Sequence, residues 1–129
     1  MKHQSIITEF SLILKPSTVN GIGVFTAHNI ARDTQFVYCD FLMRKLLIKN
    51  IPTEFIHYCI LINDKECFAP ERFDRMEVGW YLNHSNHPNV KKISEKNVIA
   101  IRDIKAGEEV LMNYNELNEP ENMKQSFYL

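Results

Sequence analysis

The sequence predicts a mostly β fold built from several short strands, and three features carry that prediction. Apolar residues come in short runs, the runs are bounded by Gly, Pro, Asn and Asp, and helical spacing shows in only one stretch. At 129 residues the chain is long enough for one continuous apolar core and too short for two independent ones, so residues 1–129 are read as a single domain. Hydrophobic residues make up 45% and charged residues 24%, the balance of a protein that folds by burying its apolar side chains.

Taken in order, Ser5 to Leu14 is rich in Ile, Leu and Phe and runs out at Pro16, while Gly21 to Phe25 and Gln35 to Tyr38 are each closed by turn-forming residues. The first third therefore reads as a series of hairpins. Between Phe41 and Asn50, Leu42, Leu46 and Leu47 recur near helical spacing and Pro52 closes the stretch, which suggests a short helix or an irregular turn. His57 to Ile62 and Glu66 to Ala69 flank Asn63 and Asp64, residues that tolerate left-handed turns, so a hairpin is expected there. A further strand pair is expected from Asn97 to Arg102 and Glu109 to Tyr114, joined through Lys105 to Gly107. An internal echo runs through the chain: Phe25 to Asp33 and Ile99 to Gly107 each place an apolar strand, an Ile and a polar turn in the same order, predicting strand, turn, strand twice. Two copies are too few for a solenoid. The polar, acidic stretch 115–129 reads as a C-terminal tail that ends in Phe127, Tyr128 and Leu129.

Charge and cysteine content exclude several classes of function. A formal net charge of -1 offers no basic surface for phosphates, so no direct nucleic-acid partner is expected. Met1 to Phe10 lacks the uninterrupted apolar run of a signal peptide or membrane span, so an intracellular protein without a membrane partner is expected. Cys39, Cys59 and Cys67 are odd in number and contain no Cys-x-x-Cys pair, which favours reduced, buried thiols over a disulfide framework or a zinc ribbon.

Three segments carry candidate chemistry. Asn20 to Phe25 holds two glycines that let the backbone turn sharply and approach a ligand closely; taken alone it is also an ordinary hairpin. Trp80 to Asn89 concentrates amide, imidazole and hydroxyl groups in Asn83, His84, Ser85, Asn86, His87 and Asn89. Its Asn83-His-Ser85 is formally a glycosylation sequon, which has no use without secretion. His84 and His87 are possible metal ligands, but no third ligand stands at a recognisable spacing, so no metal is expected. A polar loop that caps its own turns is the remaining alternative. Ile101 to Tyr114, with Gly107 in its turn, reads by itself as one more hairpin.

In combination, Gly-x-Gly-Val-Phe, then Asn-His-Ser-x-x-Pro-Asn, then Asp-Ile-x-x-Gly-Glu-Glu-Val-x-x-x-Tyr closely resemble the SET-domain family, over about Ser17 to Tyr114. The resemblance implies several small β-sheets, few short helices and a knot-like crossing of the C-terminal segment under the Asn-His-Ser loop. It implies S-adenosyl-L-methionine as cofactor, with Ile22, Gly23 and Val24 offering backbone to its methionine end. Asn83 and His84 match the pair that contacts its amino group and adenine, and Tyr114 matches the catalytic tyrosine beside the sulfonium methyl. Tyr38 falls where many members carry a tyrosine of the lysine channel. Met112 lies where an aromatic often limits the number of methyl groups added.

These residue types suit methyl transfer. A sulfonium already makes its methyl carbon electrophilic, so the protein must supply a neutral amine aligned with the methyl and the departing sulfur. Lysine is ordinarily protonated up to about pH 10.4, and a dry aromatic channel disfavours the cation as it enters. A phenol is a poor base near neutrality, so Tyr114 is read as orienting the amine or polarising the methyl. The chain departs from the family pattern in places. It has no flanking cysteine-rich segments, Asn113 stands where an aspartate is usual, Asp40 where glycine is frequent, and Asn86 where cysteine is commonest. Without a cysteine-rich wall another element must close the channel, and Phe127 with Tyr128 forms a candidate lid.

The expected activity is thus protein-lysine N-methylation of an exposed lysine in a basic segment, of a histone or another protein, docking as an added strand. Glu116, Glu119 and Glu121 offer attraction for such a segment, or simply a solvated acidic tail. The alternative reading is a catalytically inactive SET-like module that binds a protein partner, and methylation of a small amine or a non-lysine side chain is a third. Homodimerisation stays open, as does action in the nucleus, in the cytoplasm or after delivery into a host.

Overall fold

The structure, a computed structural model, describes residues 4–38, 44–94 and 96–117. Strand β1 (Leu12–Pro16) turns back into β2 (Ile22–Thr26) as an antiparallel hairpin, in register from Leu12 opposite Thr26 to Pro16 opposite Ile22. The Ser17 N–H donates to the Gly21 carbonyl at 2.8 Å to close the turn, and Gly21 supplies the left-handed backbone at φ 47°. Strand structure was expected from Ser5, but β1 begins at Leu12. Ahead of it, Ser5 is held through side-chain bonds, its N–H donating to Thr34 Oγ1 at 2.9 Å and its Oγ accepting from the Ala31 N–H at 2.8 Å. These local bonds satisfy the backbone without a ladder.

The remaining strands are β3 (Gln35–Val37), β4 (Arg44–Leu47), β5 (Ile60–Leu61), β6 (Glu66–Ala69), β7 (Asn83–His84), β8 (Val90–Lys92), β9 (Asn97–Ala100) and β10 (Glu109–Met112). Among the described residues they form three small sheets, in the orders β1-β2-β10-β7, β3-β9-β8 and β4-β6-β5. Among the described residues helix is limited to short 3-10 turns such as Thr53–Tyr58 and Val78–Tyr81. Arg44 to Leu47, inside the stretch with helical spacing, is a strand. Its Arg44 and Leu46 are half-buried and Lys45 and Leu47 exposed, the alternation of a sheet face, and the segment pairs with β6. The rest of that stretch, 41–43, lies outside the described residues. The turn at Asn63 forms as expected, with Asn63 Oδ1 accepting from the N–H groups of Lys65 and Glu66, both at 2.8 Å.

The internal echo has a structural counterpart. Both segments are strand, turn, strand, yet neither is a hairpin, because β2 and β3 lie in different sheets and so do β9 and β10. The expected pairing of β9 with β10 is therefore overturned; the two copies pair with each other instead. Ile30 and Ile104 exchange both backbone bonds at 2.7 and 2.8 Å. Around them Asp33 N–H donates to Ala100 O just as Gly107 N–H donates to Thr26 O, both at 2.8 Å, and the equivalent residues Asp33 and Gly107 both adopt positive φ, 71° and 89°. The two turns thus form an approximate two-fold. Ile30 and Ile104, each 1% exposed, sit at its centre and seed the main core with Val24, Val98, Ala100 and Val110.

A second, smaller cluster of Ile51, Cys59, Cys67 and Ala69 lies with the β4-β6-β5 sheet, so the buried apolar residues divide into a core and a satellite. Cys59 and Cys67 are free buried thiols, and Cys39 lies outside the described residues.

Candidate active site

Strand β10 changes partner midway, and that change builds the site. It runs antiparallel to β2 at Phe25 opposite Glu109 and Val24 opposite Val110, then parallel to β7 at Leu111 opposite Asn83 and Met112 opposite His84. Ile22 and Gly23 keep their β1 partners and have no β10 residue opposite them. The segment after β7 binds β10 as well. Ser85 N–H donates to Met112 O at 3.0 Å and Asn89 N–H to Leu111 O at 3.1 Å. The Asn89 side chain then acts as a surrogate strand, Nδ2 donating to Glu109 O at 2.7 Å and Oδ1 accepting from the Leu111 N–H at 2.8 Å. Fully buried at 1% exposure, it fastens β10 to the segment that follows β7.

Successive residues of a strand point to opposite faces, so the adjacent Asn83 and His84 serve different surroundings. Asn83 is buried beside the glycine segment, its Nδ2 directed at Asn20 O (3.0 Å), Ile22 O (3.4 Å) and Glu109 Oε2 (2.8 Å). Glu109 Oε1 accepts from the Ser17 hydroxyl at 2.6 Å. A Cβ on Gly23 would overlap the Glu109 carboxylate and press on Ser17, which gives the buried Gly23 a packing reason to be glycine. Val24, the next residue, turns its side chain into the core with no exposure.

His84 faces the other way. Its Nδ1 accepts from the Tyr114 N–H at 3.0 Å and its Nε2 stands 3.2 Å from Asn86 Oδ1, partners that assign the neutral tautomer with hydrogen on Nε2. Burial holds the imidazole below its ordinary pKa, with the Asn86 contact opposing. The His84 and Tyr114 rings meet edge to face at 5.3 Å, and the Tyr114 hydroxyl donates to the Leu82 carbonyl. Tyr114 is thereby attached at both ends to residues on either side of Asn83.

Two other sequence candidates lie close by. Tyr38, packed on the main core, has its carbonyl against Gly79, where any Cβ would overlap it. That contact sets Tyr38 beside the 3-10 turn Val78–Tyr81 that leads into β7. Met112, 2% exposed, is packed within the main core. Phe127, with Tyr128, lies outside the described residues, as do Asp40, Glu119 and Glu121. On the same 3-10 turn the indole N–H of Trp80 is buried with no hydrogen-bond partner among the described residues.

The sequence alone assigns no individual role to Ser17, Gly79, Asn89 or Glu109. Two of them stand within recognised motifs, but nothing in their spacing says that one side chain bonds a distant strand. Ser17 and Gly79 carry no local signal, since each is explained by a partner, Glu109 or Tyr38, far along the chain. Among the described residues no cluster of His, Cys, Asp and Glu can hold a metal ion, and no helix is long and apolar enough to cross a membrane.

A cofactor ending in an amino acid fits these groups. The Asn83 amide spends its hydrogens on fixed acceptors and turns Oδ1 away from them, and the Ile22 and Gly23 backbone lies alongside with no β10 residue opposite it.

Comparison with known proteins places this arrangement in context. In fold the chain is similar to a Plasmodium falciparum protein provisionally assigned as a histone methyltransferase, at 23% identity and TM-score 0.54, over 80% of this chain and 96% of that one. It is likewise similar to the methyltransferase domain of human PR domain-containing protein 2, at 21% identity and TM-score 0.59, over 88% of this chain and 83% of that one. No curated protein matches. The SET-domain family model matches residues 21–115, which takes in the glycine segment, the Asn83 strand and Tyr114 together. With its small sheets, sparse helix and bracketed β10, the chain belongs to the SET-domain family.

Proposed function

We propose that this chain transfers a methyl group from S-adenosylmethionine to a lysine side chain of a protein substrate. The observation that carries the reading is the attachment of Tyr114 to both neighbours of Asn83, through His84 Nδ1 and the Leu82 carbonyl, which joins the matched tyrosine to the matched cofactor strand. Asn83 and the Ile22–Gly23 backbone would hold the amino-acid end of the cofactor, with His84 and the backbone of β7 at its inner side. When bound, the cofactor supplies an electrophilic methyl on a sulfonium.

The chain's own residues then have limited tasks. Because the Tyr114 hydroxyl gives its hydrogen to Leu82, its oxygen presents lone pairs, which can accept an N–H of an incoming neutral amine and aim the nitrogen. A phenol with its proton engaged is no general base, so the amine must arrive neutral, favoured by transfer from water into a closed channel. Tyr38 is the proposed channel residue on the described side. The proposed partner is a protein bearing a lysine in a basic segment, inside a cell, where the free thiols of Cys59 and Cys67 stay reduced.

Calorimetric titration with S-adenosylmethionine, followed by transfer of labelled methyl to a panel of basic proteins, tests the reading. The wild type is expected to bind and transfer, Asn83→Ala to bind far more weakly but measurably, and Tyr114→Phe to bind but lose transfer. A wild type that binds no cofactor at millimolar concentration would sink it.

A further inference from the structure

Glu109 has no part in the mechanism above, yet its carboxylate joins three segments that the chemistry needs. Oε1 takes the Ser17 hydroxyl at 2.6 Å and Oε2 takes an amide hydrogen of Asn83 at 2.8 Å. Gly23 lies under it without a Cβ, and the backbone of Glu109 itself is clamped by Asn89 at 2.7 Å. A carboxylate can only accept. An amide facing it must therefore present its NH2, and Asn83 Oδ1 is left pointing elsewhere, as an acceptor for a cation.

We propose that Glu109 is a positioning residue that sets the orientation of the Asn83 amide, so that Oδ1 meets the α-ammonium group of the bound cofactor. The proposal rests on the methyltransferase reading. Asn20 O and Ile22 O favour the same orientation but lie farther from Nδ2, at 3.0 and 3.4 Å, and belong to the exposed end of the β1–β2 hairpin. Glu109 is half-buried in the centre of the sheet and is the one charged acceptor of the three. Ser17 fixes the carboxylate in turn, while its own Oγ accepts from the Val19 N–H at 2.9 Å, so the glycine turn and the amide are set together.

The test uses two ligands, S-adenosylhomocysteine, which carries the amino-acid end, and 5′-methylthioadenosine, which lacks it. Glu109→Gln keeps the size and swaps one acceptor for a donor, so it is expected to weaken S-adenosylhomocysteine binding about tenfold and leave 5′-methylthioadenosine unchanged. In the Asn83→Ala background the same change is expected to add less than about twofold, because both act through one amide. Equal loss of both ligands, no loss of either, or multiplying effects in the double variant would overturn the proposal. Should Glu109→Gln fail to fold, Ser17→Ala removes one hydroxyl, with about a threefold loss expected for S-adenosylhomocysteine alone and an unchanged affinity contradicting the proposal. A wild type that binds neither ligand refutes the methyltransferase reading itself, a result distinct from all of these.

Discussion

The Tyr114 N–H donates to Nδ1 of His84 at 3.0 Å, so the backbone at the proposed catalytic tyrosine depends on an imidazole that stays unprotonated. Protonation would set a hydrogen against that N–H and charge a buried ring. Burial holds the folded-state pKa of His84 below its ordinary value, whereas the unfolded chain titrates near about 6.5.

The sign follows by linkage. Between the two pKa values the unfolded state binds more protons, so the His84 contribution to stability is full above about pH 6.5 and falls as the pH drops toward the folded pKa. Urea midpoints measured from pH 7.5 down to 5 should decline in the wild type. His84→Asn keeps an acceptor near Nδ1 but cannot titrate, and should decline less over that window. Parallel curves would disprove the linkage.

Asn89 replaces a strand for the middle of β10, bonding Glu109 O and the Leu111 N–H from a fully buried position. Asn89→Ala leaves both backbone groups buried without partners, at a cost of about 2 to 5 kcal/mol. Chemical denaturation checks this, and a loss under about 1 kcal/mol would mean that water or a shifted chain replaces the clamp.

Two glycines should respond to alanine differently. At Gly79 a Cβ meets the Tyr38 backbone, which cannot rotate away, so Gly79→Ala should cost about 2 to 3 kcal/mol and disturb the Tyr38 environment. At Gly107 the space is open and only the φ of 89° resists, so Gly107→Ala should cost about 1 kcal/mol and leave the site intact. Thermal melts together with tyrosine fluorescence separate the two cases.

Burial pushes the Cys59 thiol up to about 12, aided by the neighbouring Cys67 and opposed by Arg44. In the folded protein at pH 8 its thiolate is scarce and enclosed, so iodoacetamide should leave Cys59 and Cys67 unmodified until denaturant is added. Peptide mass spectrometry reads each cysteine separately. Rapid labelling of Cys59 under native conditions would show that the satellite cluster opens.

Strand character was legible at several short apolar runs that end at turn residues, though His57 and Tyr58, read as strand from the sequence, close the 3-10 turn Thr53–Tyr58 and β5 is only Ile60–Leu61. β2, β3 and β6 fall where those signals place them, and the Asn63 turn uses the side chain that marks it. The echo between Phe25–Asp33 and Ile99–Gly107 was visible too; that its equivalent residues Asp33 and Gly107 both take positive φ emerged only in the structure. Arg44–Leu47 was misread because two adjacent leucines fit a helix repeat as well as a strand with one face half-buried, and only β6 decides between them.

The sequence by itself determined the fold class and the three segments that identify the family, because turn chemistry and side-chain alternation are local properties. Tertiary structure alone decided which strands pair. Local signals would join β9 to β10 as a hairpin, but burial of Ile30 against Ile104 pairs the copies with each other and sends β10 between β2 and β7. That choice places Asn83 over Glu109 and His84 under Tyr114, side chains from distant stretches of chain whose meeting no spacing encodes. Alternation says which residues share a face; only the packed core says what that face meets.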